Sequence, residues 1–427
     1  MSSDNHVPGD TVESRLPETQ ARPPTAESAP QRQSSPFPEA NGRLTSTTDK
    51  PSGRPEGAYP EQDRHEPEQV LEPLSSFATT FYTLSYLIFF SIFGTLARLG
   101  LQALTFYPGA PVVTGVLWAN VGGSLLMGFF LEDKNIFREE WGKPRKDTTH
   151  NDTNPTEESK RHTSVKKTIP LYIGLTTGFC GSFTSFSSFI RDIFLALSND
   201  LPGPSSASDS APNGGYSFMA LVAVLLTTVS LSLGALVVGS HLTLALDGLH
   251  PRISITLPFR LTRCFIDPLF VLLGIGCWVG SIFLSIFPPT QTWRGDVTFA
   301  IVFAPLGTLT RFYLSLFLNA RIPTFPLGTF AINITGTIIL AMCYDLQRVD
   351  YIGASSLVSC QVLQGVMDGF CGCATTVSTW VAEMNGLKRR RDAYVYGGVS
   401  VAVALGFFVV ISGSLRWTVG FGSPVCG

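Results

Sequence analysis

The stretch GFCGSFTSFSSF at residues 178–189 returns in altered form as GFCGCATTVSTW at residues 369–380. Both are glycine-broken, hydroxyl-rich and set inside apolar sequence. A glycine break frees backbone groups that a helix would otherwise pair. Freed carbonyls coordinate a cation; freed N–H groups and half-helix N-termini favour an anion. Serine and threonine hydroxyls add rotatable donors. Phe186 and Phe189, three apart, share a helical face, and the positive edges of their rings attract an anion without a full charge. Asn120 and Asn333 bring amide donors, and Arg98 and Arg311 bring buried positive charge. Asp192 and Glu383 sit one further turn along the two segments. This is the chemistry of ion recognition rather than of bond making. Each feature also has a packing account. Small residues let helices approach in lipid, phenylalanine is common in membrane spans, and an amide can bond between helices. An arginine can snorkel, and the two carboxylates can be solvated helix ends.

The elements that must hold these residues are apolar. Of 427 residues, 44% are hydrophobic and 15% charged, against about 25% charged in soluble domains. A formal net charge of −2 gives no case for nucleic acid. Residues 1–74 are rich in Pro, Glu, Ser and Thr and read as a disordered tail without the apolar core of a signal peptide. From there, windows long enough to cross a bilayer fall near 78–103, 111–131, 167–196, 216–239, 265–287, 296–318, 325–345, 356–385 and 392–413. Basic residues crowd the 132–166 loop (Lys134, Arg138, Lys143 among them), the 240–264 loop (Arg252, Arg260, Arg263), Arg321, and the LKRRR run ending at Arg391. The 197–215 loop has none. Nine spans put every basic loop on the cytoplasmic side, with the N-terminus inside and the C-terminus outside. The Asn151 sequon then faces the cytoplasm and carries no glycan.

Spans one to four resemble spans six to nine. FGTLARLGLQ (93–102) parallels LGTLTRFYLS (306–315), and LWANVGGSLLMG (117–128) parallels TFAINITGTIIL (329–340). One extra span between two four-span units inverts the second. The expected fold is therefore all-α and integral to the membrane: two inverted four-helix repeats joined by a linking helix, the third helix of each broken. Residues 75–240 form the first repeat, 241–290 the linker with its span, 291–415 the second repeat and 416–427 a short tail. Such repeats place a substrate path at their interface, lined by broken helices.

The quoted segments resemble the GxxGxxTTFSTF signature of the Fluc fluoride channels, and the Asn and Arg motifs fit that family too. The resemblance covers about residues 75–415, with four motifs in order, twice, as in the fungal-type exporters that fuse two channel units. It implies a fluoride pore with Phe186, Phe189, Asn120, Asn333, Ser185, Thr228, Ser400, Glu383, Arg98 and Arg311. It also implies a central structural Na⁺ held by backbone carbonyls of Gly181, Thr184, Gly372 and Thr375. Membrane lipid is the other partner, and one chain suffices as a pseudo-dimer. The second half departs from the signature, with Val377 and Trp380 where phenylalanines belong. The departure implies that one of two ancestral pores has decayed.

The leading reading is thus a passive plasma-membrane channel that exports fluoride and confers fluoride resistance. A proton-coupled fluoride or small-anion antiporter is the alternative, with Glu383 as its acid. A membrane enzyme lacks a His/Asp/Glu cluster or nucleophile–base pair, and a receptor leaves the duplication unexplained. The cysteines, mostly in apolar runs (Cys180, Cys277, Cys343, Cys360, Cys371, Cys373), read as packing residues rather than a disulfide frame or metal site.

Overall fold

The computed structural model describes residues 76–105, 107, 114–137, 165–201, 214–249, 257–349 and 356–426. The expected tail over 1–74, most of the 132–166 loop and the Asn151 sequon lie outside the described residues. Among those described, every regular element is helical. We number them α1 (Ser76–Thr105), α2 (Leu117–Glu132), α3 (170–183), α4 (Phe186–Ser198), α5 (Gly214–Leu249) and α6 (Thr262–Ile286). They continue with α7 (Arg294–Leu318), α8 (Leu327–Leu346), α9 (357–374), α10 (Ser378–Gly386) and α11 (Arg390–Thr418).

Over the described residues, each apolar window is carried mainly by helix. Among the described residues, seven helical segments are long and apolar enough to cross a membrane, counting α9 and α10 together as Leu357–Gly386. The two windows that miss this measure are α2, which has 16 residues against the roughly 20 a span needs, and the segment broken between α3 and α4.

Small residues decide the packing. α2 lies along α5, where a Cβ on Gly128 would strike the Leu236 carbonyl and one on Gly239 the Leu125 carbonyl. α1 packs on α6 and α7, whereas α4 reaches α8 and α11, and α10 reaches α2 and α5. The two broken segments therefore pack into one another's halves. α6 stays at the margin: 11% of its apolar window is buried, against 61% for α8. A helix so apolar and so uncovered faces lipid.

One expectation is overturned. Cys360 and Cys426 form a disulfide across 66 residues. Cys360 is not mid-span; it stands in the first turn of α9, where the returning C-terminal segment reaches it. That segment is held further. Gly422 donates to the Arg348 carbonyl at 3.1 Å, Phe421 meets the Tyr344 ring at 5.4 Å, and Arg416 pairs with Asp200 at 2.7 Å. A pairing made by tertiary return over such a distance leaves no local spacing to read.

Candidate functional site

The two broken segments are built alike. A π-helical turn, Gly174–Cys180 in α3 and Val366–Cys371 in α9, precedes each break. Such turns widen a helix and are frequent at functional sites, although three others in this chain, at 262–266, 294–298 and 409–413, lie away from the breaks. The break follows at Thr184 (φ −99°, ψ 153°) and Thr375 (φ −96°, ψ 151°). Helix resumes at Phe186 under an N-cap by Ser185, whose hydroxyl accepts from the Ser188 N–H at 3.2 Å.

Most of the hydroxyls are spent on joining the breaks. Thr375 Oγ1 accepts from the Ser187 N–H at 3.0 Å and bonds the Ser187 hydroxyl at 3.0 Å. Reciprocally, Thr184 Oγ1 accepts from the N–H groups of Val377 and Ser378, each at 3.2 Å, and bonds the Ser378 hydroxyl at 3.1 Å. Each threonine thus caps the resumed helix of the other segment. The same exchange repeats where Thr95 meets Cys373 and Thr308 meets Ser182, both at 2.9 Å.

The asparagines brace the breaks from behind. Asn120 Oδ1 accepts from the Ser185 N–H at 2.9 Å while its amide donates to the Ser185 carbonyl at 3.4 Å. Asn333 does the same for Thr376, at 2.9 and 3.3 Å. The side-chain amide replaces the helical neighbour that the break removed, and one amide hydrogen remains for another acceptor. The interhelical account therefore holds for the other amide groups, and the anion-donor account is confined to that hydrogen.

Arg98 and Arg311 do not snorkel, being 0% and 2% exposed. Arg98 donates to the carbonyls of Ser182 (3.1 Å) and Asp368 (2.5 Å), and its guanidinium lies 4.0 Å from the Asp368 carboxylate. Arg311 donates to the carbonyls of Cys373 (2.8 Å) and Thr177 (2.7 Å). Both bridge α3 to α9 by filling carbonyls that the π turns and breaks expose. The contacts described for them are thus with backbone carbonyls of the two broken segments and, for Arg98, the Asp368 carboxylate. Gly181 and Gly372 are glycine for this reason: a Cβ on either would enter the guanidinium of Arg311 or Arg98.

The aromatic line crosses between the halves. Phe186 meets Phe189 at 5.9 Å and Trp380 at 5.2 Å, both edge to face. Trp380 is thus a ring partner of Phe186, a contact that periodicity within one helix could not show. Val377 is fully buried. Beyond Trp380, on the next turn of α10, the Glu383 carboxylate accepts from Thr329 (2.7 Å), Asn319 (3.0 Å) and Tyr396 (2.7 Å). It is a fixed acceptor, not a solvated end. Ser400, one turn after Tyr396 on α11, donates to the Tyr396 carbonyl at 2.7 Å. Thr228 is buried on α5, against which α10 packs. Asp192 is also buried, 3.3 Å from Arg191, beside a cavity of about 590 Å³ lined by Arg348 and Asp368 among others. Sequence reasoning missed Tyr396, Thr329 and Asn319; only Tyr396, a turn before Ser400, left a local trace.

The sequence profile of the family described as "CrcB-like protein, Camphor Resistance (CrcB)" matches residues 85–240 and 298–414. The chain is 53% identical over 397 residues to Fluoride export protein 1 of Neurospora crassa, covering 88% of this chain and 75% of that protein. It is 36% identical to Fluoride export protein 1 of Candida albicans over 77% of this chain and 79% of that one. Against the Fluoride-specific ion channel FluC of Chromobacterium violaceum it is 29% identical, 29% of this chain spanning 95% of the bacterial protein. No solved structure matches the chain. A profile that covers both halves, over segments that carry the broken helices, the asparagines and the arginines, leaves one conclusion: this chain is a member of the CrcB family, the family of the Fluc fluoride channels.

Proposed function

We propose that this chain is a fluoride-selective passive channel that exports cytoplasmic fluoride across the plasma membrane. The observation that carries it is the aromatic contact of Phe186 with Trp380, one helical turn from the Glu383–Tyr396 group, in a chain whose relatives bear fluoride-export names. Ring edges polarise toward an anion without trapping it. The Glu383 carboxylate, held by three donors, supplies a fixed acceptor beside that contact. Fluoride then leaves down the membrane potential, which supplies about 2.3 kcal/mol per charge per 100 mV. In liposomes, fluoride efflux should follow the imposed voltage and ignore an imposed pH gradient. Efflux driven by the pH gradient at zero voltage would establish the antiporter instead.

The architecture we infer has nine crossings, two four-helix repeats of opposite orientation and α6 as the linking span. One chain makes the whole pseudo-dimer. The reciprocal capping of the two breaks supports the pairing of the repeats. The Cys360–Cys426 disulfide supports an extracellular C-terminus, since disulfides persist on the oxidising side. A tag at residue 427 should therefore be labelled on intact cells, and one at the N-terminus only after permeabilisation. Labelling of both on intact cells would refute the odd span count.

The carbonyls of Thr184 and Thr375, with those of Gly181 and Gly372, form the set we assign to a structural Na⁺. The donors suit it: neutral, hard oxygens, those of Thr184 and Thr375 on residues that have left helical dihedrals, at breaks bonded to one another. Bound, the ion would neutralise converging carbonyl dipoles and fasten the halves. Exchange of Na⁺ for a large organic cation during purification should lower the melting temperature; an unchanged melt would remove the site.

A further inference from the structure

We propose that the indole N–H of Trp380 is an anion donor in the pore, so that this chain grips fluoride by a directed hydrogen bond beside the Phe186 ring. The inference rests on the fluoride-channel reading above. Trp380 is 1% exposed, yet its Nε1 has no hydrogen-bond partner. A buried donor left without a partner is costly and rare, and tryptophan N–H groups usually find one.

The neighbouring donors are already committed. Ser400 gives its proton to the Tyr396 carbonyl, while Tyr396 and Thr329 give theirs to Glu383. Asn319 donates to Glu383 and Thr329. Of this group, the indole N–H is the donor still unspent. Its position is also defined. The indole meets Phe186 edge to face at 5.2 Å. Its Cζ2 corner, adjacent to the carbon that carries Nε1, faces α11 at Gly397, 3.8 Å from where a Cβ would stand. Gly397 lies one turn before Ser400. A desolvated fluoride needs donors, because it only accepts hydrogen bonds. An N–H supplies one without a net charge that would hold the ion in place. Tryptophan at this position is therefore a gain of chemistry over phenylalanine rather than a decayed remnant.

The test uses the full chain labelled with ¹⁵N-tryptophan in detergent, with sodium fluoride or sodium chloride as the added salt. The sequence has six tryptophans, and Trp380→Phe assigns the resonance of interest. Fluoride is expected to move that indole N–H resonance downfield and saturably, while chloride leaves it in place and the other five stay put. In liposomes, Trp380→Phe keeps an aromatic ring but loses the donor together with part of the indole, and scoring efflux per folded molecule sets aside a loss of folding. Its fluoride efflux per folded molecule should fall about tenfold or more, as for a lost hydrogen bond to a charged group. A resonance that ignores fluoride, or a folded Trp380→Phe protein that conducts as well as the parent, overturns the inference. The spectroscopic arm stands without transport by any variant. Wild-type protein that moves no fluoride at all would instead strike the channel reading.

Discussion

Arg98→Met should cost this protein about 3 kcal/mol or more of stability, with a matching fall in the melting temperature of the purified chain. The methionine retains apolar volume, so cavity formation is a minor part of the loss. What disappears is a buried guanidinium that serves the Ser182 and Asp368 carbonyls and faces the Asp368 carboxylate. Each abandoned buried acceptor costs about 1–3 kcal/mol, and a buried carboxylate without its cation costs more. Arg311→Met should behave alike, since Arg311 serves Cys373 and Thr177. Lysine should rescue neither, because one ammonium cannot reproduce the fork of donors. Arg321→Met is the control: an exposed arginine outside these contacts should shift stability by no more than about 0.5 kcal/mol. If the Arg98 and Arg321 variants melt together, the bridging role is wrong.

Phe186→Ile should remove most fluoride efflux while leaving a folded protein. Isoleucine preserves apolar bulk but has no quadrupole, so a desolvated anion beside Trp380 loses a ring edge. The packing change alone is a volume-similar swap in a tight core, which costs up to a few kcal/mol. Packing would therefore lower the yield of folded protein and leave the efflux of each folded molecule intact. The two accounts part on that ratio.

The fold was legible where apolarity runs long. Over the described residues, every span window is carried mainly by helix, because length and apolar content are local properties of the chain. The breaks were legible too, since glycine followed by threonine and serine marks where a helix yields to side-chain capping. What the sequence could not convey was which partner each residue takes. The resemblance marks Thr184 and Thr375 for their backbone carbonyls alone, whereas each side chain caps the other segment. Trp380 looked like a degraded phenylalanine because its partner, Phe186, lies 194 residues away by subtraction of their numbers, 380 − 186. The Glu383 network draws on α7, α8 and α11 together, and the Cys360–Cys426 bond on a returning tail. No periodicity within one element encodes such convergence.

The central claim is that fluoride passes where the two halves share an aromatic contact. Its most direct measurement is voltage-driven fluoride efflux per folded molecule in liposomes, for the parent chain, Phe186→Ile and Val377→Ala. The parent should pass fluoride and not chloride. Phe186→Ile should lose most of that flux, whereas Val377→Ala, which removes no ring, should keep it. Equal losses from the two changes, or no loss from either, would contradict the account.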